Sequence, residues 1–220
     1  MCGRYALTLP PDAVRAYFGY GDRPNFPPRY NIAPTQPIAI VRLDEGQRRF
    51  ALARWGFLPA FVKDMKTFPL IINARSEGIA DKPSFRSAIR RRRCLIPADG
   101  FYEWRRDGKR RLPYLIRRPG GGPLAFAGLW ETWHTADGSE MDTACIITSS
   151  ANGTISGLHE RMPVILEPPD FTPWLDPHSD AAVVLPLMRP AAEDALELVA
   201  VSPAVNSVAN EGPDVQHPAV

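Results

Sequence analysis

The stretch IAIVRLDEGQRRFALARW, residues 38–55, indicates the fold more directly than any other part of the sequence. Its apolar runs predict two paired strands, residues 38–43 and 49–55, joined by a turn at residues 44–46. The composition agrees, because 24 of the 220 residues are proline, which interrupts helices and favours short strands and turns. The chain is therefore expected to be rich in strands.

Further strands and a few short helices are predicted on both sides of this hairpin. Strands are predicted at residues 94–97, 100–104, 112–117, 124–133, 143–148, 164–166 and 198–201, and a buried apolar strand at 70–72 is expected to end at Asn73. Helices are predicted at residues 11–18, 85–93, 170–175 and 191–198. The first of these begins with Pro-Asp and is followed by Gly19, as is typical of helix ends.

Composition and cysteine use favour a cytosolic protein. Hydrophobic residues make up 45% and charged residues 23%, near the average for soluble proteins, and the length suffices for one ordinary domain or two small ones. Cys94 and Cys145 lie in apolar runs and are expected to be buried, and three cysteines form neither a disulfide framework nor a zinc-binding spacing. No signal peptide or membrane span is expected.

The net charge of +2 conceals an uneven distribution along the chain. Residues 75–118 contain 14 lysines and arginines but five acidic residues, so this segment carries +9 and the remainder −7. Such segregation suggests a basic surface for a polyanion. An ordinary solvated helix followed by a charged hairpin would give the same count, and charge alone leaves both interpretations open.

The first four residues, Met1-Cys2-Gly3-Arg4, raise the question of unusual chemistry. If Met1 is removed, Cys2 carries an α-amine and a thiol on adjacent carbons. The amine can condense with an aldehyde to an imine, and the thiol can then close a thiazolidine ring. Reference pKa values of about 8 for the amine and about 8.5 for the thiol predict usable nucleophilic fractions near neutral pH. The alternative is a small residue at a frayed terminus.

Three further stretches contain candidate site residues. In Gly100-Phe101-Tyr102-Glu103-Trp104, a carboxylate among aromatic side chains is expected to be partly desolvated, which raises its pKa and suits it to proton transfer. An edge-strand Glu paired with Arg is equally consistent. Asn73 is either a site residue or a turn residue. His159, in a loop between Gly157 and Pro163, is either a site residue or surface decoration.

Seven motifs together resemble the SRAP (SOS response-associated peptidase) family, in family order and over nearly the whole chain. They are Met1-Cys2-Gly3-Arg4-Tyr5, Arg29-Tyr30-Asn31-Ile32-Ala33-Pro34, Arg54-Trp55-Gly56, Ile72-Asn73-Ala74-Arg75-Ser76-Glu77, Ala98-Asp99-Gly100-Phe101-Tyr102-Glu103-Trp104, His159-Glu160-Arg161-Met162-Pro163 and Val201-Ser202-Pro203-Ala204-Val205-Asn206. Any one of them is a weak signal. Together, at these spacings, they are a specific one.

The resemblance implies a single α+β domain over residues 1–220, strand-rich, with a barrel-like sheet core and short peripheral helices. The sequence itself predicts a loosely held tail from about residue 211. The resemblance also implies a DNA-repair activity in the SOS response: covalent capture of abasic sites in single-stranded DNA as a thiazolidine crosslink, with abasic-site lyase activity as an accompaniment. The protein is expected to use no cofactor or metal, to have no membrane partner and to be a monomer. Its expected location is the cytoplasm, where it associates with damaged DNA.

The resemblance also implies roles for individual residues. Cys2 supplies amine and thiol, Glu103 exchanges protons with the amine and the sugar, His159 acts on the sugar hydroxyl, and Asn73 holds the lesion in register. Arg4, Arg75 and Arg161 hold flanking phosphates, while Pro34 and Phe61 pack against bases. Family members often carry paired tryptophans where this chain has Phe61 and Val62, so base stacking is expected to be built differently here.

Two rival functions use the same residues. In the first, the protein is a thiol peptidase or autoprotease in which Cys2 attacks a peptide bond with Glu103 and His159 as acid–base partners. In the second, it is a non-catalytic module that binds single-stranded DNA through residues 75–118, and Cys2 is incidental. A covalent product with abasic DNA distinguishes the proposed crosslinking activity from both.

Overall fold

The computed structural model describes residues 2–135 and 137–219. Within these ranges the strands are β1 Tyr5–Leu7, β2 Arg29–Ile32, β3 Pro37–Asp44, β4 Gln47–Trp55, β5 Asn73–Arg75, β6 Arg93–Ala98, β7 Gly100–Asp107, β8 Arg110–Arg117, β9 Leu124–His134, β10 Glu140–Ser150, β11 Arg161–Pro163, β12 Ile165–Leu166 and β13 Glu197–Ala200. The α-helices are α1 Pro11–Phe18, α2 Ala88–Arg91, α3 Gly153–Ser156, α4 Pro168–Leu175 and α5 Ala181–Val184. Single 3₁₀ turns lie at Leu185–Leu187, Pro203–Asn206 and Pro213–Gln216.

The predicted barrel-like core is confirmed: β4, β3, β6, β9 and β10 pair in that order and close on themselves. The hairpin predicted at residues 38–55 forms one wall, with β3 and β4 antiparallel along their whole length. The ring closes where β10 pairs antiparallel with β9 and parallel with β4. Gly128 on β9 permits close packing there, since a Cβ would lie 2.8 Å from the Cys94 sulfur.

A second sheet, in the order β13-β8-β7-β1-β2, packs its aromatic side chains against the barrel. The Tyr5 ring contacts Trp55 and Phe126 with ring centroids 5.3 and 5.9 Å apart, and Phe101 contacts Phe126 at 5.9 Å. Within this sheet β1 lies between β7 and β2. The first strand of the chain is therefore an interior strand rather than a frayed terminus.

Most of the predicted elements are confirmed. Helix α1 spans the predicted residues, and it ends because Gly19 adopts a left-handed conformation with φ of 70°. The strands predicted at 94–97, 100–104, 112–117, 124–133 and 143–148 all lie within β6 to β10, respectively. Cys94 and Cys145 are buried free thiols, as expected.

Three predicted elements are wrong in extent or type. The helix expected at 85–93 shortens to α2, because Arg93 joins β6 opposite Leu129 and its buried guanidinium donates to the carbonyls of Ile89, Arg90, Trp174 and Asp176. The helix expected at 191–198 does not form: residues 197 and 198 belong to β13, which pairs with β8, and Asn152 donates to the carbonyls of residues 191 and 192. The apolar run 70–72 precedes a strand that begins only at Asn73, and Leu70 is half exposed.

The segment after residue 210, expected to be loosely held, makes specific contacts with the second sheet. The Glu211 carboxylate accepts hydrogen bonds from the backbone N–H groups of Tyr30 and Asn31, and Gln216 donates to the Tyr102 hydroxyl at 3.0 Å. Val215 is buried. No helix within residues 2–135 and 137–219 is long and apolar enough to cross a membrane.

Candidate active site

Cys2 is held in place by the pairing of the strand that follows it. Tyr5 lies opposite Phe101 on β7 and opposite Ile32 on β2. Just before β1, the Arg4 carbonyl accepts from the backbone N–H of Tyr102 at 2.9 Å and from the Cys2 thiol at 3.9 Å. Cys2 is fully buried by these contacts.

The environment of the Cys2 thiol differs from the expectation based on reference values. Burial raises the pKa of the thiol far above its ordinary value, and the nearby Glu103 carboxylate raises it further. The thiol is therefore protonated near neutral pH in this structure. Any reaction through its sulfur needs a neighbouring group to accept the proton.

Glu103 is suited to accept the proton of the Cys2 thiol. β7 lies between β8 and β1, so Glu103 is not on an edge strand, and the side chains of β7 alternate between the two faces of the sheet. Phe101 packs in the main core, whereas Tyr102 and Trp104 pack in a smaller cluster on the other face. Glu103 is 5% exposed, and its desolvation raises the pKa of the carboxyl to about 7, as the sequence predicted in direction.

Glu103 opens onto two adjoining cavities that also share Trp104 and Arg111, here called the Glu103 cleft. The first, of about 330 Å³, is completed by Gly3, Arg4 and Asn206. The second, of about 210 Å³, is completed by Arg106 and His159. The structure thus brings together the N-terminal segment, Glu103 and His159, which lie far apart in the sequence.

His159 is half buried in the loop between α3 and β11. Its Nδ1 accepts a hydrogen bond from the backbone N–H of Arg161 at 2.9 Å, which assigns the hydrogen of the neutral ring to Nε2. Burial lowers the pKa of the imidazole below its ordinary value. Near neutral pH, His159 is therefore a neutral imidazole that can donate a hydrogen bond from Nε2.

Arg161 is engaged within the protein. Its guanidinium donates to both Glu77 carboxylate oxygens, at 2.7 and 2.8 Å, and to the Thr148 carbonyl at 2.5 Å. These hydrogen bonds lower the pKa of Glu77 to about 2. Since the guanidinium is buried and its charge is already balanced, this geometry does not favour the phosphate contact expected from the sequence. It instead anchors the start of β11, next to His159.

Asn73 and Arg75 lie on β5, which pairs parallel with β10 so that Asn73 is opposite Ile146 and Arg75 opposite Thr148. Both polar atoms of the Asn73 side chain are buried and have no hydrogen-bond partner among the described residues. Buried amides are normally satisfied, so this amide is available to hydrogen-bond a bound group or a water molecule. Arg75 is exposed beside it. Neither residue lines the Glu103 cleft.

The two residues expected to meet bases have different surroundings. Phe61 is 60% exposed and touches Phe68 edge to face, with ring centroids 6.2 Å apart. Pro34 is half buried in the turn that follows β2. Val62, next to Phe61, is buried, and its carbonyl accepts from the Trp133 indole at 2.6 Å. Of the pair at 61 and 62, Phe61 alone offers an exposed face.

Sequence reasoning missed the residues that hold the walls of the cleft. Arg4 donates to the Asn31 side chain at 2.6 Å and to the Val205 carbonyl at 2.9 Å, and its guanidinium lies 5.7 Å from the Trp104 ring centroid. The Trp104 indole donates to Asn206 at 2.6 Å. Asn31 and Asn206 stand in the quoted motifs, but nothing in a local pattern shows what a side chain contacts across the fold.

Neither a second cavity nor a metal-binding cluster offers an alternative to this site among the described residues. A cavity of about 340 Å³ lies between α2 and α5, lined in part by Ile89, Arg90 and Val184, and it contains none of the predicted site residues. In the described ranges, no group of three or more His, Cys, Asp or Glu side chains is arranged to hold a metal ion.

Comparisons with known proteins point to one family. The family described as SOS response associated peptidase (SRAP) matches residues 1–208. The abasic site processing protein YoqW of Bacillus subtilis is 38% identical over 220 residues, covering 98% of each chain. The abasic site processing protein HMCES of Rattus norvegicus is 30% identical, covering all of this chain and 76% of its own. A crystal structure from Bacteroides thetaiotaomicron shares the fold, with a TM-score of 0.88 at 23% identity over the whole of both chains.

Proposed function

The chain belongs to the SOS response-associated peptidase (SRAP) family, and on that premise we propose that it processes abasic sites in single-stranded DNA by covalent capture through Cys2. The names of its relatives support the abasic-site substrate. The observation that carries the chemistry is the position of Cys2: its buried thiol is next to a carboxyl group, Glu103, whose pKa is about 7.

The reaction begins after removal of Met1. The α-amine of Cys2 adds to the C1′ aldehyde of the ring-opened sugar, and the resulting carbinolamine loses one water to give an imine. The thiol sulfur then adds to the imine carbon while its proton is transferred to the nitrogen. A thiazolidine ring forms, water is the only molecule released, and no oxidant or reductant is needed.

Glu103 moves the protons in this sequence. With a pKa of about 7 it is near half protonation at neutral pH, so it can accept a proton from the α-ammonium group and return one to the departing hydroxyl. It also accepts the thiol proton as the C–S bond forms. This step is needed because burial keeps the thiol protonated.

His159 and Asn73 act on the sugar. His159 donates a hydrogen bond from Nε2 to the ring oxygen as the C1′–O bond breaks, and the proton of the C1′ hydroxyl passes through solvent to that oxygen. Arg161 acts as a positioning residue through the hydrogen bond at Nδ1. Asn73 uses its unpartnered amide to hold the lesion. Arg4 and Arg75 bind flanking phosphates, and Pro34 and Phe61 pack against bases.

Peptidase chemistry fits these surroundings less well. A cysteine peptidase attacks as a thiolate, usually beside a protonated histidine, whereas here the thiol pKa is raised and the His159 pKa is lowered. Autocatalytic removal of Met1 by the same residues happens once per chain and is compatible with covalent capture. The predicted lyase activity, cytoplasmic location, role in the SOS response and monomeric state belong to the same proposal.

The test is the intact mass of the purified protein before and after incubation with a single-stranded oligonucleotide that contains one abasic site. We expect a chain that begins at Cys2 and gains the oligonucleotide mass minus one water. Cys2→Ser keeps the amine but lacks the thiol, so its adduct is expected to be lost on heating in denaturant. Cys145→Ala removes a buried thiol outside the site and is expected to crosslink normally.

A heat-stable adduct with Cys2→Ser would rule out the thiazolidine. An extension that blocks the α-amine is expected to abolish capture, and full capture by such a protein would show that Cys2 acts as an ordinary thiol. If the wild-type protein binds the abasic oligonucleotide without any covalent product, the non-catalytic binding function is the better description.

A further inference from the structure

The hairpin of β7 and β8 carries five of the basic residues of the 75–118 segment around its turn at Asp107-Gly108. These are Arg105, Arg106, Lys109, Arg110 and Arg111. Two of them, Arg106 and Arg111, line the Glu103 cleft, and Arg111 lines both of its cavities. Arg111 is therefore the cation of this hairpin that adjoins both the N-terminal side and the His159 side of the cleft.

The pairing of the two strands places these arginines together. Arg106 lies directly opposite Arg111, while Asp107 lies opposite Arg110. Opposite charges at facing positions stabilise a β ladder and like charges destabilise it. In the described ranges, neither Arg106 nor Arg111 forms an ion pair with a carboxylate, so the repulsion between them is not relieved by the protein.

Several other basic residues of the segment are already committed to internal contacts. Arg92 pairs with Glu131 at 2.7 Å, Arg117 with Glu197 at 2.9 Å and Arg118 with Glu167 at 2.8 Å. Arg93 is buried against backbone carbonyls. The excess charge counted in the sequence is thus partly structural, whereas the two facing arginines beside the cleft have no carboxylate partner among residues 2–135 and 137–219.

From this arrangement we propose that Arg111, assisted by Arg106, binds a phosphodiester group of the DNA strand next to the nucleotide that occupies the cleft. A guanidinium presents paired N–H donors that match phosphate oxygens, and one anion between two arginines removes their mutual repulsion. The inference rests on the proposed function, because it takes single-stranded DNA as the ligand of the cleft.

The test compares two neighbouring residues of β8 with the same substitution. Binding of an unmodified single-stranded oligonucleotide is measured by fluorescence anisotropy over a range of salt concentrations. We expect Arg111→Gln to weaken binding roughly tenfold and to reduce the slope of log K against log salt by about 0.7, the value of one phosphate contact. Arg110→Gln removes the same charge outside the cleft, so its slope is expected to match that of the wild type.

Thermal melting of the free protein gives a second readout, in which the two substitutions are expected to act differently on the melting temperature. Arg111→Gln removes a repulsion between facing like charges and is expected to leave the melting temperature unchanged or higher. Arg110→Gln removes an attraction and is expected to lower it. A merely structural role for Arg111 would instead lower the melting temperature together with the affinity.

Equal affinities and equal salt slopes for the two variants would overturn the inference. So would an Arg111→Gln protein that melts below Arg110→Gln and the wild type. Failure of the proposed function is seen separately: a wild-type protein that binds single strands but forms no covalent adduct with abasic DNA refutes covalent capture, and the comparison of Arg111 with Arg110 still reports on phosphate binding.

Discussion

Replacing Glu103 with Gln is expected to make the protein more stable and, at the same time, inactive in capture. Burial raises the pKa of this carboxyl from 4.5 to about 7. Below pH 4.5 the group is protonated in both the folded and the unfolded chain, so it does not change the free energy of unfolding with pH. Between 4.5 and 7 the unfolded chain releases a proton that the folded chain keeps, so the free energy of unfolding falls as pH rises.

Above pH 7 the folded protein carries the full cost of a desolvated carboxylate, which the rise in pKa sets at about 3 kcal/mol. Gln has nearly the same shape and does not ionise. The free energy of unfolding of Glu103→Gln, relative to the wild type, is therefore expected to increase by about 3 kcal/mol between pH 4.5 and a pH above 7.

Urea unfolding of both proteins at several pH values measures this difference. Glu45→Gln, a substitution on the exposed turn between β3 and β4, is the matched control and is expected to show a difference that does not vary by this amount. If the difference between Glu103→Gln and the wild type is the same at low and high pH, the carboxyl is not desolvated in the folded protein. Glu103 would then not be suited to carry the protons of the capture reaction.

Three other predictions follow from the contacts described above. Arg93→Met leaves four backbone carbonyls without their buried donor and is expected to cost about 4 kcal/mol in urea unfolding, whereas Arg91→Met, on the exposed side of α2, changes little. Glu77→Gln removes the ion pair with Arg161 and, because Glu77 is more than half exposed, is expected to lower the free energy of unfolding by about 1 kcal/mol above pH 4.5. This loss is expected to vanish as the pH falls towards 2, the pKa of Glu77 in the folded protein. A loss that stays constant with pH would contradict the pairing. Ending the chain at residue 208 removes the contacts of residues 210–216 and the burial of Val215. The free energy of unfolding is expected to fall by about 3 kcal/mol, and capture of abasic DNA to become slower. An unchanged melting temperature and capture rate would show that this segment is dispensable.

Local patterns predicted the elements whose causes are local. The Pro-Asp start and Gly19 end of α1 act within one turn of helix, and the alternation and turn residues of the β3–β4 hairpin act between neighbours in sequence. The raised pKa of Glu103 was also predictable, because three aromatic residues adjoin it in the chain.

The errors arose where a distant residue decides the local structure. Residues 85–93 have helical spacing, but Arg93 is drawn into the barrel by its partner Leu129 and by carbonyls from α4 and the residue after it. Residues 197 and 198, predicted to end a helix, instead pair with β8, while Asn152 hydrogen-bonds the carbonyls of residues 191 and 192. The Glu77 partner of Arg161 was likewise invisible, since the two residues are 84 positions apart.

The reference pKa of a thiol does not apply to Cys2, for a similar reason. That value applies to an exposed group, and the position of Cys2 at the start of the chain suggested exposure. Pairing of β1 with β2 and β7 buries the residue completely. Long-range strand pairing thus buries a thiol that the sequence alone suggested was exposed, and burial raises its pKa.

The complete burial of Cys2 sets a schedule for the maturation of the protein. β1 cannot complete its pairing until β7, which begins at Gly100, has been synthesised. At about 5–20 residues per second, the first residues of the nascent chain stay accessible for roughly 5–20 s. If a cellular aminopeptidase rather than the protein itself trims Met1, it has to act within this interval, and slow trimming would then trap a fraction of folded molecules with a capped cysteine.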